Sequence, residues 1–285
     1  MGLRRKAEGR RRGSVRIRLL PDIPALTAAV PKERAGIDVF FCPELVDGGY
    51  AALFRGEGIH SEGDALVEQI RALSRKGRAV IVAGSMVLEN PFGGRTNSSL
   101  VFANGRRIHR YDKIHLFRPT GEERLFGGGN KAGVFRLPLK RGAITAAVIL
   151  CYDLRFPLLT RLLALAGARI LFVPARWPSV RDRAWRGLLR ARAIENQIFV
   201  IGCNGPGREG GYSYAVDPIG NEIYSSRRPR TKGVVVCDLS LLGKAREHHD
   251  NLREAVPLIL RGKRIIRPGK NLGLPLRKRS AASGR

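Results

Sequence analysis

The sequence predicts a layered α/β domain, on three observations. Short apolar runs recur along the chain, at residues 37–42, 79–84, 100–102, 144–151, 170–173, 198–202 and 233–237. Several of them are continuously apolar rather than alternating, which suits strands buried on both faces. Segments of helical spacing lie between them, and neither an internal repeat nor a long linker interrupts residues 19–260, so one layered domain is the economical reading.

The helical segments carry their own punctuation. Residues 64–76 place Leu66, Ile70 and Leu73 on one face, follow Gly63 and stop at Gly77. Residues 157–166 open with Pro157, which a first helical turn tolerates, and stop at Gly167. Residues 183–196 set Trp185, Leu188 and Leu189 on one side and a row of arginines on the other. Residues 211–220 read as a strand and a turn. Beyond about residue 264 periodicity fades and Gly, Pro, Arg and Ser dominate.

Composition bounds the function. The 285 residues are 44% hydrophobic and 27% charged, a globular balance with ample core material. No apolar run reaches the roughly 18 residues of a membrane span, so no membrane partner is expected. The basic start lacks the apolar centre of a signal peptide. The four cysteines, Cys42, Cys151, Cys203 and Cys237, form no C-x-x-C pair, and a reducing cytoplasm fits them. The net charge is +28, of which residues 1–18 carry +7 and residues 261–285 carry +9. The expected organisation is therefore a basic arm over 1–18, a domain over 19–264 and a basic extension over 265–285. Such ends are usually solvated. Nucleic acid is a partner they would admit but do not favour, since no aromatic residues are interleaved for stacking.

Three residues at the ends of separate apolar runs carry the chemistry. Cys151 ends the run AITAAVILC, and the amides of the turn that follows can serve as oxyanion donors. A buried cysteine at a strand end is more often inert packing. Glu44, after VFFCP, and Lys113, in RYDKIHLF, change that reading. Charges abutting apolar sequence need a partner or a catalytic use. A carboxylate can take the thiol proton, the thiolate can attack, and the ammonium can hold the oxyanion.

On FFCPEL, YDKIHLF and LCYDLRFP, the sequence resembles the nitrilase superfamily of carbon–nitrogen hydrolases over roughly residues 37–264. RTNSSLVFANGRRIHRYDK, LLALAGARILFVPARWP, LLRARAIENQIFVIGCN and YSYAVDPIGNEI follow in the expected order. The resemblance implies a four-layer α-β-β-α sandwich and a Glu44–Lys113–Cys151 triad. It implies a second glutamate after the lysine motif, Glu122 by the glycine seven residues on at Gly129, with Glu123 as the alternative. It also implies the Tyr152 backbone N–H as oxyanion partner, a homodimer or larger homo-oligomer, no cofactor and no metal. HLFRPTGE resembles the omega-amidase-like branch, whose substrates are terminal amides of small, anionic 2-oxo acids. N-carbamoyl or deaminated-glutathione hydrolysis on the same scaffold, or a non-catalytic nucleic-acid-binding role, are the alternatives.

Two departures bear on substrate. Arg176 stands where the family more often has Asn or a small residue, and Ala184 where a His commonly precedes the Trp. Arg176, beside Trp177, either binds a substrate carboxylate through its planar fork or is a surface or interface arginine. Other signals are set aside. Residues 205–210 fit G-x-G-x-x-G, but a strand follows where a dinucleotide site needs a helix. His248 and His249 lack a supporting carboxylate cluster. His115 reads as a packing or hydrogen-bonding residue, and Cys42, Cys203 and Cys237 as small buried apolar groups.

Overall fold

A computed structural model describes residues 13–61, 63–89, 94–140, 142–226, 233–247 and 249–254, together with the backbone of 259–261 and 264–266. Its first half runs β1 (Ser14–Leu19), α1 (Ile23–Glu33), β2 (Val39–Phe41), α2 (Gly49–Phe54), β3 (Ile59–His60), α3 (Ala65–Gly77), β4 (Val80–Val82), β5 (Met86–Glu89), β6 (Arg95–Ala103) and β7 (Arg106–Asp112). The second half runs α4 (Glu122–Leu125), β8 (Val134–Pro138), β9 (Ala143–Val148), α5 (Pro157–Leu165), β10 (Ile170–Ala175), α6 (Asp182–Asn196), β11 (Phe199–Asn204), β12 (Tyr214–Val216), β13 (Glu222–Ser225), β14 (Gly233–Asp238) and α7 (Ser240–Lys244). A separate hairpin, β15 (Ile259–Arg261) and β16 (Arg264–Ile266), follows.

The strands form two sheets. One has the order β14-β1-β2-β4-β6-β5-β3, with β7 also paired to β6; the other has the order β13-β12-β11-β10-β9-β8. Their inner faces pack together. Val15, Ile17, Val39 and Phe41 of the first share one core with Ala146, Val148, Phe172 and Ile201 of the second. Phe41 and Phe172 meet edge-on across the interface at 5.1 Å. On the outer face of the first sheet, Leu26, Val30, Val67 and Ile70 of α1 and α3 bury against Phe40, Ile81 and Phe102. Trp185 and Leu189 of α6 cover the second sheet. The layers are thus α-β-β-α, as the resemblance implied.

The strand β1 corrects the arm boundary expected at residue 18. Val15, Ile17 and Leu19 are fully buried, while Arg16 and Arg18 point the other way, and Arg18 Nε pairs with Glu33 Oε2 at 2.8 Å. The strand alternates with period two, so half its residues are charged without leaving the sheet. It runs antiparallel to β14 and parallel to β2. The remainder of the expected arm, residues 1–12, lies outside the described residues, as do His248 and residues 267–285 of the expected extension. Among the described residues no helix is long and apolar enough to cross a membrane.

The topology gathers chain at one end of the facing sheets. Glu44 follows β2, Cys151 follows β9, and Arg176 and Trp177 follow β10. Segments beyond the carboxyl ends of strands are where open α/β sheets build their sites. Lys113 comes directly after β7.

Candidate active site

The buried strand β9 delivers Cys151 into a 3-10 turn spanning Cys151–Arg155. Cys151 takes a φ of +41°, in the left-handed region that non-glycine residues enter only when their surroundings impose it. Asp153 imposes it here. Its fully buried carboxylate accepts the Leu150 N–H at 3.0 Å, Tyr111 Oη at 2.7 Å and the His115 N–H at 2.9 Å, and lies 2.8 Å from His115 Nδ1. One carboxylate therefore ties the cysteine turn to the lysine segment. The His115 ring stacks on Phe156 at 3.6 Å, so it is spent on packing and on Asp153.

Glu44, Lys113 and Glu122 are all fully buried and meet around one ammonium. Lys113 Nζ donates to Glu44 Oε1 and to Glu122 Oε1, each at 2.8 Å. Glu44 Oε1 also accepts Asn97 Nδ2 at 3.0 Å, and Glu44 Oε2 accepts the Arg176 backbone N–H at 3.0 Å. Glu122 Oε2 accepts the Phe117 N–H at 2.6 Å, and Tyr50 Oη donates to Glu122 Oε1. Glu123 is exposed. Lys113 is itself held by its main chain: its N–H donates to Asn97 O at 2.9 Å and its carbonyl accepts the Gly129 N–H at 2.7 Å. A Cβ on Gly129 would sit 2.2 Å from Asp112 O, so the loop closes this tightly only with glycine there.

Burial makes these charges costly unless they are paired, and the pairing sets the proton states. Burial by itself would lower the Lys113 ammonium, but Glu44, Tyr50 and Glu122 outweigh it and hold the ammonium well above its ordinary value. Burial raises the Cys151 thiol well above the usual thiol range. The Glu44 carboxylate beside it adds to the rise, while Lys113 and the Arg176 N–H oppose it. The resting nucleophile is therefore a neutral thiol beside the Glu44 carboxylate. Burial, reinforced by Glu44, likewise keeps the Tyr50 phenol protonated and a donor.

Cys151 lies at an open pocket walled by Phe117, Tyr152, Arg155, Arg176, Trp177, Pro178 and Arg181. Trp177 is locked in the wall: its N–H donates to Asn204 Oδ1 at 2.9 Å, its carbonyl accepts Asn204 Nδ2 at 2.9 Å, and its indole donates to Arg181 O at 3.1 Å. Arg155 lies over the Trp177 ring at 4.7 Å and Arg181 over the Phe117 ring at 5.9 Å. Both guanidinium groups are exposed, and neither has a carboxylate within ion-pair distance among the described residues.

Arg176 lines this pocket, but its guanidinium is already engaged and largely buried rather than on the surface. Nε donates to Glu44 O at 2.9 Å and Nη2 to Leu45 O at 2.8 Å, and Nη1 is 3.7 Å from Glu209 Oε2. The structure also adds Tyr50, Asn97 and Asp153, which the sequence reading passed over. Their signals were a phenol just after the glycine pair 48–49, a polar Thr-Asn-Ser-Ser run leading into the apolar end of a strand, and an acid two residues past the cysteine.

The similarity to known proteins runs through all of these segments. The carbon-nitrogen hydrolase family profile matches residues 20–247. A 2-oxoglutaramate amidase of Bacillus subtilis is 31% identical over 80% of this chain and 86% of its own. The omega-amidase YafV of Escherichia coli K12 is 34% identical over 66% of this chain and 72% of its own. Among solved structures, a CN-hydrolase superfamily protein from Xanthomonas campestris superposes with a TM-score of 0.72 at 26% identity, over 87% of this chain and 99% of that one. With its sheets, its layers and its buried Glu-Lys-Glu cluster beside a cysteine, this chain belongs to the carbon–nitrogen hydrolase family.

Proposed function

We propose that the chain is a cysteine-dependent amidase that hydrolyses the terminal amide of a small, anionic carboxylic acid and releases ammonia. The observation that carries this reading is the convergence of Glu44, Lys113 and Glu122, all fully buried, on a thiol at the floor of an open pocket.

The steps follow from the contacts. Glu44 takes the Cys151 proton as Sγ attacks the amide carbon. Lys113 Nζ and the Tyr152 N–H, one of the first amides of a helical turn and so without an intrahelical acceptor, stabilise the tetrahedral oxyanion. Glu122 holds Lys113 opposite Glu44, so the ammonium is fixed before charge develops. Collapse breaks the C–N bond, Glu44 returns its proton to the departing nitrogen, and a thioester remains. Glu44 then takes a proton from water, the hydroxyl attacks the thioester, and the proton passes to the leaving sulfur, releasing the acid.

Substrate choice falls to the mouth of the pocket. Arg155 and Arg181 present two guanidinium groups with no carboxylate partner among the described residues, a fit for an anionic group at the end of the substrate remote from the amide. Relatives named for 2-oxoglutaramate and omega-amide hydrolysis support that class. Self-association, implied by the family resemblance, finds support in α5, where Leu158, Leu162 and Leu165 form an exposed stripe.

The test is ammonia release from 2-oxoglutaramate by purified protein. The wild type is expected to turn over, and Cys151→Ala to release nothing above the uncatalysed rate. Full activity in that variant, free of host amidase, sinks the mechanism.

A further inference from the structure

We propose that Arg176 is a positioning residue for the general base: its guanidinium, braced by Glu209, holds the turn at Glu44 and Leu45 in the shape that aims the Glu44 carboxylate at Cys151. The proposal rests on the amidase reading for the role of Glu44, but its geometry does not depend on the substrate.

The turn needs holding. Leu45 has a φ of +46°, a left-handed conformation that a leucine keeps only when its surroundings enforce it. On one side the Leu45 N–H donates to Ser85 Oγ at 3.0 Å. On the other, Arg176 grips three points of the same turn. Nε takes the Glu44 carbonyl at 2.9 Å, Nη2 takes the Leu45 carbonyl at 2.8 Å, and the backbone N–H takes the Glu44 carboxylate at 3.0 Å. A planar fork with fixed donors can span two successive carbonyls; a lysine ammonium cannot. Because β10 is a rigid, fully buried strand, the residue just past its end is a firm anchor.

The rest of the chain makes room for this strut. A Cβ on Gly49, whose φ is +73°, would lie 2.6 Å from Arg176 Cζ and 2.7 Å from Glu209 Oε2. Glu209 stands 3.7 Å from Nη1 and accepts the Tyr50 N–H at 3.0 Å, so the brace also reaches the phenol that donates to Glu122. Glu209 sits inside the G-x-G-x-x-G stretch of residues 205–210, which is followed by the strand β12 and not by the helix a dinucleotide site needs. That loop instead continues from β11 beside Arg176, with the Gly205 N–H on Ala175 O at 2.9 Å, and folds back through the Ser179 N–H on Gly210 O at 3.1 Å. With its side chain only 8% exposed, Arg176 would have to abandon both carbonyls to reach a substrate carboxylate.

The experiment compares Arg176→Ala and Arg176→Lys with wild type in two assays. One measures kcat and KM for 2-oxoglutaramate. The other follows the pH midpoint of Cys151 alkylation by iodoacetamide, which needs no turnover. Expected are a kcat lower by about a hundredfold in Arg176→Ala and about tenfold in Arg176→Lys, the scale of misplacing a catalytic group by about an ångström. KM should stay within about twofold, as for an interaction felt in the transition state alone. The alkylation midpoint should move to lower pH in both, as the carboxylate that raises the thiol swings away. Added guanidinium ion should restore part of the Arg176→Ala rate and none of the Cys151→Ala rate. A KM that rises while kcat holds would assign Arg176 to the substrate and overturn the proposal, as would wild-type kcat and midpoint in Arg176→Lys, which decides the matter if Arg176→Ala does not fold. Failure of the wild type to hydrolyse any amide would sink the amidase reading but leave the alkylation arm as a test of the strut.

Discussion

The floor and the mouth of the pocket treat charge in opposite ways. At the floor, Glu44, Lys113 and Glu122 are fully buried; the ammonium donates to both carboxylates at 2.8 Å, and each carboxylate accepts a backbone N–H at 2.6 to 3.0 Å. At the mouth, Arg155 and Arg181 are exposed, rest on aromatic faces and hold no counter-ion among the described residues. The floor is thus complete before substrate arrives, and its charges are preorganised for an oxyanion. The mouth is incomplete, and on the proposed function an anionic substrate group completes it. Reaction type follows from the first region and substrate choice from the second.

Three substitutions test that division, in decreasing order of effect. Lys113→Met removes the oxyanion cation and leaves Glu44 and Glu122 facing each other unneutralised. The expected kcat loss is about a hundredfold to a thousandfold with little change in KM, measured by steady-state ammonia release. A loss confined to KM would move Lys113 from the chemistry to binding. Arg181→Ala, and separately Arg155→Ala, should raise KM for 2-oxoglutaramate by about tenfold and leave kcat near wild type, with a weaker dependence of kcat/KM on salt. An unchanged KM in both would leave the mouth without a role in selection.

The smallest effect concerns stability. His60 Nε2 sits 2.6 Å from Asp47 Oδ2, and that hydrogen bond raises the imidazole above its ordinary value despite the opposing pull of partial burial. A group raised on folding contributes fully below its unfolded value, about 6.5, and loses the contribution as pH climbs through the folded value. His60→Ala should therefore lower Tm most at acid pH, with the deficit shrinking toward alkaline pH. A deficit that grows with pH would reverse the sign of this linkage.

Glu44 and Lys113 were legible because their chemistry is written locally: an acid or a lysine set against an apolar run stands out in a linear reading, whereas Glu122, after Pro119-Thr120-Gly121, was reached only through the family resemblance. Also legible were the strands β9 to β11 and the helices α3, α5 and α6, whose periodicity is unbroken. The strand β1 was not, since Arg16 and Arg18 sit on its outward face and merge with the preceding basic residues. The helix α1 hid behind Pro24 and Pro31, although Asp22 caps it through the Ala25 N–H at 2.8 Å. The contacts of Arg176 were hidden for a different reason. Its partners are backbone carbonyls more than a hundred residues away, and a main-chain oxygen leaves no mark in a sequence.

Asp153 binds the turn of Cys151 to Tyr111 and to the main chain and ring of His115, all at 2.7 to 2.9 Å. The two halves of the catalytic apparatus are therefore mechanically one piece, though 38 residues separate His115 from Asp153. A substitution at Tyr111 or His115 removes a bond from the carboxylate that also holds the Leu150 N–H beside the cysteine. A substitution at the rim, at Arg155 or Arg181, leaves those bonds in place.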